Sequence, residues 1–283
     1  LAEQLSKFYP DLLDERFVSR FALYHQRYST NTFPTWRLAQ PFRMLAHNGE
    51  INTLSGNVNW MRSHETRLAS DMFGKHIEKL KPVIAPGNSD SASLDNAFEL
   101  LVRGGRSAPM AKCLLIPEAW SNKTTMSQEL RDFYSYCNCV MEQWDGPAAI
   151  AATDGRWVMG GVDRNGLRPM RYTITVDGLL ILGSEAGMVP IRETEIIEKG
   201  RLGPGQMIAV DLGAAKLYHD AELKQMLATS QPFGEWSQNI KPLDDVIRPE
   251  EAAAAEFTGA GLRQRQVAAG YTLEELELLL QPM

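Results

Sequence analysis

Apolar positions along the chain change spacing several times, and each change marks an element. Between Ser55 and Met72, the residues Val58, Met61, Leu68 and Met72 recur at roughly helical intervals. Leu94, Ala97, Phe98, Leu101 and Val102 follow an i, i+3, i+4, i+7, i+8 pattern, which predicts a helix over 92–102 stopped by Gly104-Gly105. Ser127 opens a third helix, over 127–144, with an apolar stripe of Leu130, Phe133, Tyr134, Cys137, Met141 and Trp144. Strand texture then takes over. Residues 147–152 face 157–159 across Asp154-Gly155, and 172–176 face 179–182 across Asp177-Gly178, both with the hairpin dipeptide that suits a tight turn. A further strand is expected over 206–211. Nearer the start, 20–24 and 41–46 read as short strands, each leading into a polar motif, and Asn48-Gly49 taken alone reads as a turn. Helices beside antiparallel hairpins predict a layered α+β domain.

The texture changes again after residue 225. Segments 231–236 and 241–243 carry Pro, Gly and a few aromatics, the make-up of a linker over 226–249. Residues 241–283 hold eight acidic side chains against four basic ones, most of the chain's net charge of −6. Thr272-x-x-Glu275 is a capping box, with Tyr271 placed to staple Leu276. The helix it opens reads as the entrance to a second domain over 250–283, which leaves 1–225 as the first.

Composition narrows the function classes. With 283 residues, 44% hydrophobic and 23% charged, the chain has ordinary globular content. The negative net charge gives no footprint for nucleic acid, and no apolar run is long enough for a transmembrane helix. Cys113, Cys137 and Cys139 are an odd set without scaffold spacing, so reduced packing cysteines and a cytoplasmic setting are expected, with no metal site. The first residue is Leu1, so the chain is expected to be part of something longer.

The densest chemistry lies in two blocks, His25-Gln26-Arg27-Tyr28-Ser29-Thr30-Asn31-Thr32 and His47-Asn48-Gly49-Glu50-Ile51-Asn52-Thr53, each preceded by apolar residues. Half-buried Arg, His, Asn and Thr need partners, from the protein or from a ligand. Arg27 is either a structural ion pair or a bidentate clamp on a ligand carboxylate, with Thr30 adding a hydroxyl. Asp90, in a Gly- and Ser-rich loop before a helix, is either a cap, a job open also to Ser91 or Ser93, or the counter-charge for a ligand ammonium. Asn48 and Gly49 are either a hairpin turn or two donors converging on an oxyanion. His25 and His47 read as satisfied core histidines.

These blocks, with Asn88-Ser89-Asp90-Ser91, Asp163-Arg164-Asn165-Gly166-Leu167-Arg168-Pro169 and Ser184-Glu185-Ala186-Gly187, resemble the class II glutamine amidotransferase domain of glutamate synthase large subunits. The tail from Ala269-Gly270-Tyr271-Thr272 to Pro282-Met283 resembles the start of that family's central domain. The resemblance implies a four-layer αββα sandwich of the N-terminal nucleophile hydrolase type. It implies hydrolysis of L-glutamine to glutamate and ammonia, with Arg27 and Thr30 on the substrate carboxylate, Asp90 on its amino group, and Asn48 with Gly49 on the oxyanion. It also implies reductive transfer of the ammonia to 2-oxoglutarate in domains of the same chain carrying FMN and an iron–sulfur cluster, fed by ferredoxin or by NAD(P)H through a small subunit, in the cytoplasm or its plastid equivalent.

One departure matters. The family's nucleophile is an N-terminal cysteine whose own amine assists it, and no cysteine here matches it, so the resemblance implies that the piece lies upstream and that this chain alone is inactive. The alternatives are a non-catalytic glutamine-binding module and a class II amidotransferase serving another acceptor. A substrate clamp and a structural ion pair at Arg27 are separable. In the full-length polypeptide Arg27→Ala is expected to weaken glutamine binding far more than folding, measured by titration beside thermal unfolding. Equal losses would assign Arg27 to the structure.

Overall fold

A computed structural model describes residues 2–26, 33, 35–247 and 257–280. Two compact units divide it, Leu1–Ser237 and Gln238–Met283. The first unit opens with α1 (Ala2–Phe8), and residues 21–26 carry no helix or strand. The strand expected at 20–24 is therefore absent, and the one expected at 41–46 starts later, as β1 (Leu45–Gly49). The later start of β1 has a visible cause. Asp95 accepts hydrogen bonds from the backbone N–H groups of Met44 (2.9 Å) and Leu45 (3.1 Å), so an aspartate holds the start of β1 where a strand would pair.

The helices α2 (Leu54–Glu65), α3 (Asp90–Arg103), α4 (Ala108–Leu115) and α5 (Gln128–Val140) follow. α2 is shorter than its apolar spacing predicts and gives way to irregular chain and a 3-10 segment, Gly74–Leu80. Ser89, Ser107 and Ser127 cap α3, α4 and α5, each hydroxyl accepting from an N–H three residues on. Then come β2 (Ala148–Thr153), β3 (Trp157–Val162), β4 (Arg171–Thr175), β5 (Leu180–Gly183), β6 (Ile196–Arg201), β7 (Met207–Asp211) and β8 (Lys216–Tyr218), followed by α6 (Asp220–Ala228) and α7 (Phe233–Ser237). Residues 226–237, linker-like in composition, carry the end of α6 and all of α7. The buried Phe233 ring meets Phe133 edge-on at 5.2 Å.

Two antiparallel sheets result, with strand orders β1-β2-β3-β7-β8 and β5-β4-β6. Helices α3, α4 and α6 lie against β1, β3 and β7, and the main core, with Leu45, Phe98, Leu114, Phe133, Ile150 and Met159, fills that layer. The other face of the first sheet meets the second sheet through Ala149, Val162, Met170 and Leu202. A Cβ added at Gly160 would come within 2.7 Å of the Met170 sulfur, so the sheets need glycine there to approach. The unit is an α+β sandwich. In the second unit, α8 (Gly259–Ala268) precedes the capping box, which forms as expected: Thr272 Oγ1 accepts from Glu275 N at 3.1 Å and Glu275 Oε2 from Thr272 N at 2.8 Å. No helix among the described residues is long and apolar enough to cross a membrane.

Beneath the first sheet lies a buried charged cluster that no periodicity announces. Lys224 Nζ sits 2.8 Å from Glu118, 2.9 Å from Asp220 and 3.1 Å from the Gly205 carbonyl, while among the described residues Lys112 Nζ has only that carbonyl, at 3.4 Å. Burial pulls Lys112 from its ordinary 10.5 to about 8, whereas Asp220 and Glu118 hold Lys224 above the usual range in spite of its burial. Between pH 8 and 10.5 the unfolded chain therefore keeps a proton at Lys112 that the folded chain has released, so this group's contribution to stability grows as pH rises. Lys112→Met is expected to exceed the wild type at pH 7 by up to about 3 kcal/mol in urea unfolding, with the gap closing by about pH 10. A gap that does not change with pH would contradict the assignment.

Candidate functional site

β1 organises the site because its two sides differ. Register pairs Ala46 with Ala151 and Asn48 with Ala149, and the bonds Thr153 N to Met44 O (2.8 Å) and Glu50 N to Pro147 O (2.9 Å) frame that run. In an antiparallel ladder the hydrogen-bonded pairs alternate. The even residues of β1 therefore face β2, and the N–H groups of Leu45, His47, Gly49 and Ile51 point to the free edge. Three of these four find acceptors. Leu45 N donates to Asp95 Oδ1 at 3.1 Å, His47 N to Gln40 Oε1 at 2.6 Å, and Ile51 N to Asp90 Oδ2 at 2.9 Å. Gln40 completes a strand-like pairing, its Nε2 donating to the His47 carbonyl at 3.0 Å. Among the described residues the Gly49 N–H has no acceptor.

Asn48-Gly49 thus forms the end of a strand, and the turn reading of that dipeptide is set aside. Glycine is required at 49 by close approach. Its φ is +154°, and an added Cβ would lie 1.8 Å from the Pro147 carbonyl oxygen. Gly146, at φ +143°, faces the same crossing from the other chain segment, where a Cβ would come 2.0 Å from the Glu50 oxygen. The two segments cross without side chains between them.

The Asn48 side chain is exposed, and its Oδ1 accepts from Arg168 Nη2. Arg168 comes from the 163–169 loop, which the buried Asp163 ties down: Oδ1 accepts from Ala148 N and Oδ2 from Asn165 N, both at 2.9 Å. Arg164 of the same loop pairs with Asp145. On the α3 side, Asp90 is the first helical residue and Ser89 is the cap, so neither Asp90, Ser91 nor Ser93 does that job. The Asp90 carboxylate instead reaches the end of β1. Ser91 Oγ lies 2.8 Å from His47 Nδ1 and donates to Asp90 Oδ1 at 3.3 Å. Burial pushes the His47 imidazole below its ordinary value, against the pull of Asp90. His47 is neutral at pH 7, and its buried Nε2 has no hydrogen-bond partner among the described residues.

The structure therefore gathers Asn48, Gly49 and Asp90 at one end of β1. Arg27 and Thr30 lie outside the described residues. Beside the Asp90 loop an open hollow of about 500 Å³ is lined by residues such as Phe33, Arg37 and Ser89, and Arg37 clamps the loop through Asn88 Oδ1 (2.7 Å) and the Gly87 carbonyl (2.9 Å). No group of His, Cys, Asp and Glu among the described residues can hold a metal ion. Nothing local in the sequence marks Gln40 for the site, and Ser91 reads there only as a possible helix cap. For Arg168 a signal existed, an arginine closing a Gly-containing turn between two strands.

Comparisons with known proteins bear on these residues. Residues 1–236 match the family model of class-II glutamine amidotransferases. Over its whole length the chain is 62% identical to the glutamate synthase [NADPH] large chain of Azospirillum brasilense, covering 19% of that protein. It is 48% identical to ferredoxin-dependent glutamate synthase 2 of Synechocystis, with 99% of the chain and 18% of that protein aligned, and 45% identical to the glutamate synthase [NADPH] large chain of Bacillus subtilis, with the same coverage. The chain spans about a fifth of the length of these relatives. By the match along 236 residues and the motifs gathered around β1, the chain belongs to the class-II glutamine amidotransferase family.

Proposed function

We propose that the chain binds L-glutamine and forms the glutaminase site of a glutamate synthase large chain. One observation carries the reading most: of four outward amides on β1, that of Gly49 alone lacks an acceptor among the described residues, beside an Asn48 whose carbonyl is already engaged. A free backbone N–H next to a free side-chain NH₂ suits the negative oxygen that develops when an amide carbonyl is attacked. Asp90, with one oxygen on Ile51 N, presents its charge to the substrate ammonium, and Arg27 with Thr30 takes the carboxylate.

In this reading the nucleophile is a cysteine supplied from outside these 283 residues. Cys113 and Cys137 are buried, and burial pushes both thiols up, Cys113 to about 11, so neither is a thiolate at neutral pH. The thiolate adds to the glutamine side-chain carbon, and ammonia departs with a proton. Water then cleaves the thioester to glutamate. Chain beyond Ser237 leads on to a following domain that begins within 250–283. Separate domains carrying FMN and an iron–sulfur cluster, fed by ferredoxin or by NAD(P)H through a small subunit, use the ammonia to aminate 2-oxoglutarate, in the cytoplasm or its plastid equivalent.

Asp90→Asn keeps an oxygen for Ile51 N and removes the charge. In the full-length polypeptide it is expected to raise KM for L-glutamine about ten- to a hundredfold, with kcat and melting temperature little changed. An unchanged KM would overturn the role of Asp90 and with it this reading of the site.

A further inference from the structure

Among the described residues Arg168 is the one cation in direct contact with the proposed oxyanion site, and it is placed unlike an ordinary surface arginine. It is half-buried, no carboxylate among the described residues pairs with it, and its Nε is buried without a hydrogen-bond partner among them. Its Nη2 donates to Asn48 Oδ1 across 120 positions of sequence. Arg164, four residues earlier, makes the commonplace choice and pairs with Asp145. A half-buried guanidinium without a counter-charge is costly, and such a cost is retained where the charge acts on something else.

The chemistry of the two groups settles what the contact does. Guanidinium has five N–H donors and no acceptor, while an Asn amide has one end that accepts and one that donates. Whichever atom of Asn48 faces Arg168 must therefore be the oxygen, which leaves Nδ2 turned away. Without that neighbour the amide is free to rotate by half a turn and present a carbonyl oxygen to the developing oxyanion, where it would repel.

From this geometry we infer that Arg168 is a positioning residue for glutamine hydrolysis, holding the Asn48 amide with its NH₂ toward the substrate oxygen. Asp163 anchors the arrangement by tying the loop to Ala148, so the orientation of Asn48 is set from the β3–β4 connection instead of from β1 itself. The inference rests on the oxyanion role proposed above for Asn48. It adds that the amide is held one way round, so that Arg168 acts through Asn48.

A double-mutant cycle on glutaminase turnover in the full-length polypeptide tests it, with melting temperatures measured alongside. Asn48→Ala is expected to lower kcat about a hundredfold. Arg168→Gln, which offers Asn48 both a donor and an acceptor, is expected to lower kcat at least about tenfold with KM within about twofold, and to cost little more once Asn48 is already Ala. Arg168→Lys has donors only and is expected to restore most of the lost kcat, and it serves as the readout where the Gln variant folds poorly. Additive losses in the double variant, a change confined to KM, or no rescue by Lys would overturn the role of Arg168 and leave the oxyanion reading standing. Unchanged kcat in Asn48→Ala would instead overturn the oxyanion reading itself.

Discussion

The first two turns of one helix hold the site's strand. Asp95 and Asp90 of α3 accept the first and last outward amides of β1, and Ser91 between them holds the His47 ring. Carboxylates that accept backbone N–H groups make bonds stronger than neutral pairs. They also do here what a neighbouring strand would otherwise do, so β1 stays straight at a sheet edge without offering its whole backbone for pairing. Edge strands with free amides invite association, and side chains that take those amides remove the hazard. The helix can serve this way because Ser89 supplies its cap, which leaves the Asp90 carboxylate for β1.

The consequence is a gap of one. With Leu45, His47 and Ile51 engaged, Gly49 is left between two satisfied neighbours with its N–H unpaired among the described residues. An amide donor in a partly buried place is incomplete without an acceptor. The crossing of Gly49 and Gly146 keeps side chains out of the space beside it, and the neutral His47 adds no charge to it. A donor pre-aimed by the scaffold needs no rearrangement when negative charge arrives, which is the condition for stabilising a transition state more than a ground state. The bonds that hold β1 and the unpaired donor proposed for the oxyanion thus have one physical origin.

Much of this was legible in the sequence where local pattern and tertiary context agree. The i, i+3, i+4 spacing of α3 and α5 and the Asp-Gly turns of both hairpins carry over with small shifts at the ends. α4 left no periodic trace because nearly every side chain of Ala-Pro-Met-Ala-Lys-Cys-Leu-Leu is buried, so no polar face exists to reveal a helix. β6 alternates half-buried and exposed, but with Ile197 on the open side and Glu198 on the other it shows no apolar face, and β8 has three residues, too few for a pattern. At the site, the sequence offers Asp90 as a counter-charge candidate, and Asn48 with Gly49 as donor candidates. The strand they belong to was displaced by several residues, because Asn-Gly is also the commonest hairpin turn and only pairing with β2 decides between the two. Gln40 and Arg168 act through partners that no local rule connects to them.

Amide hydrogen exchange along β1 tests the central claim most directly. In the ligand-free chain Gly49 is expected to exchange on the order of a hundredfold or more faster than Leu45, His47 and Ile51, whose amides are held by Asp95, Gln40 and Asp90. A Gly49 amide as protected as its three neighbours would contradict the account, since the donor assigned to the substrate oxygen would already be taken.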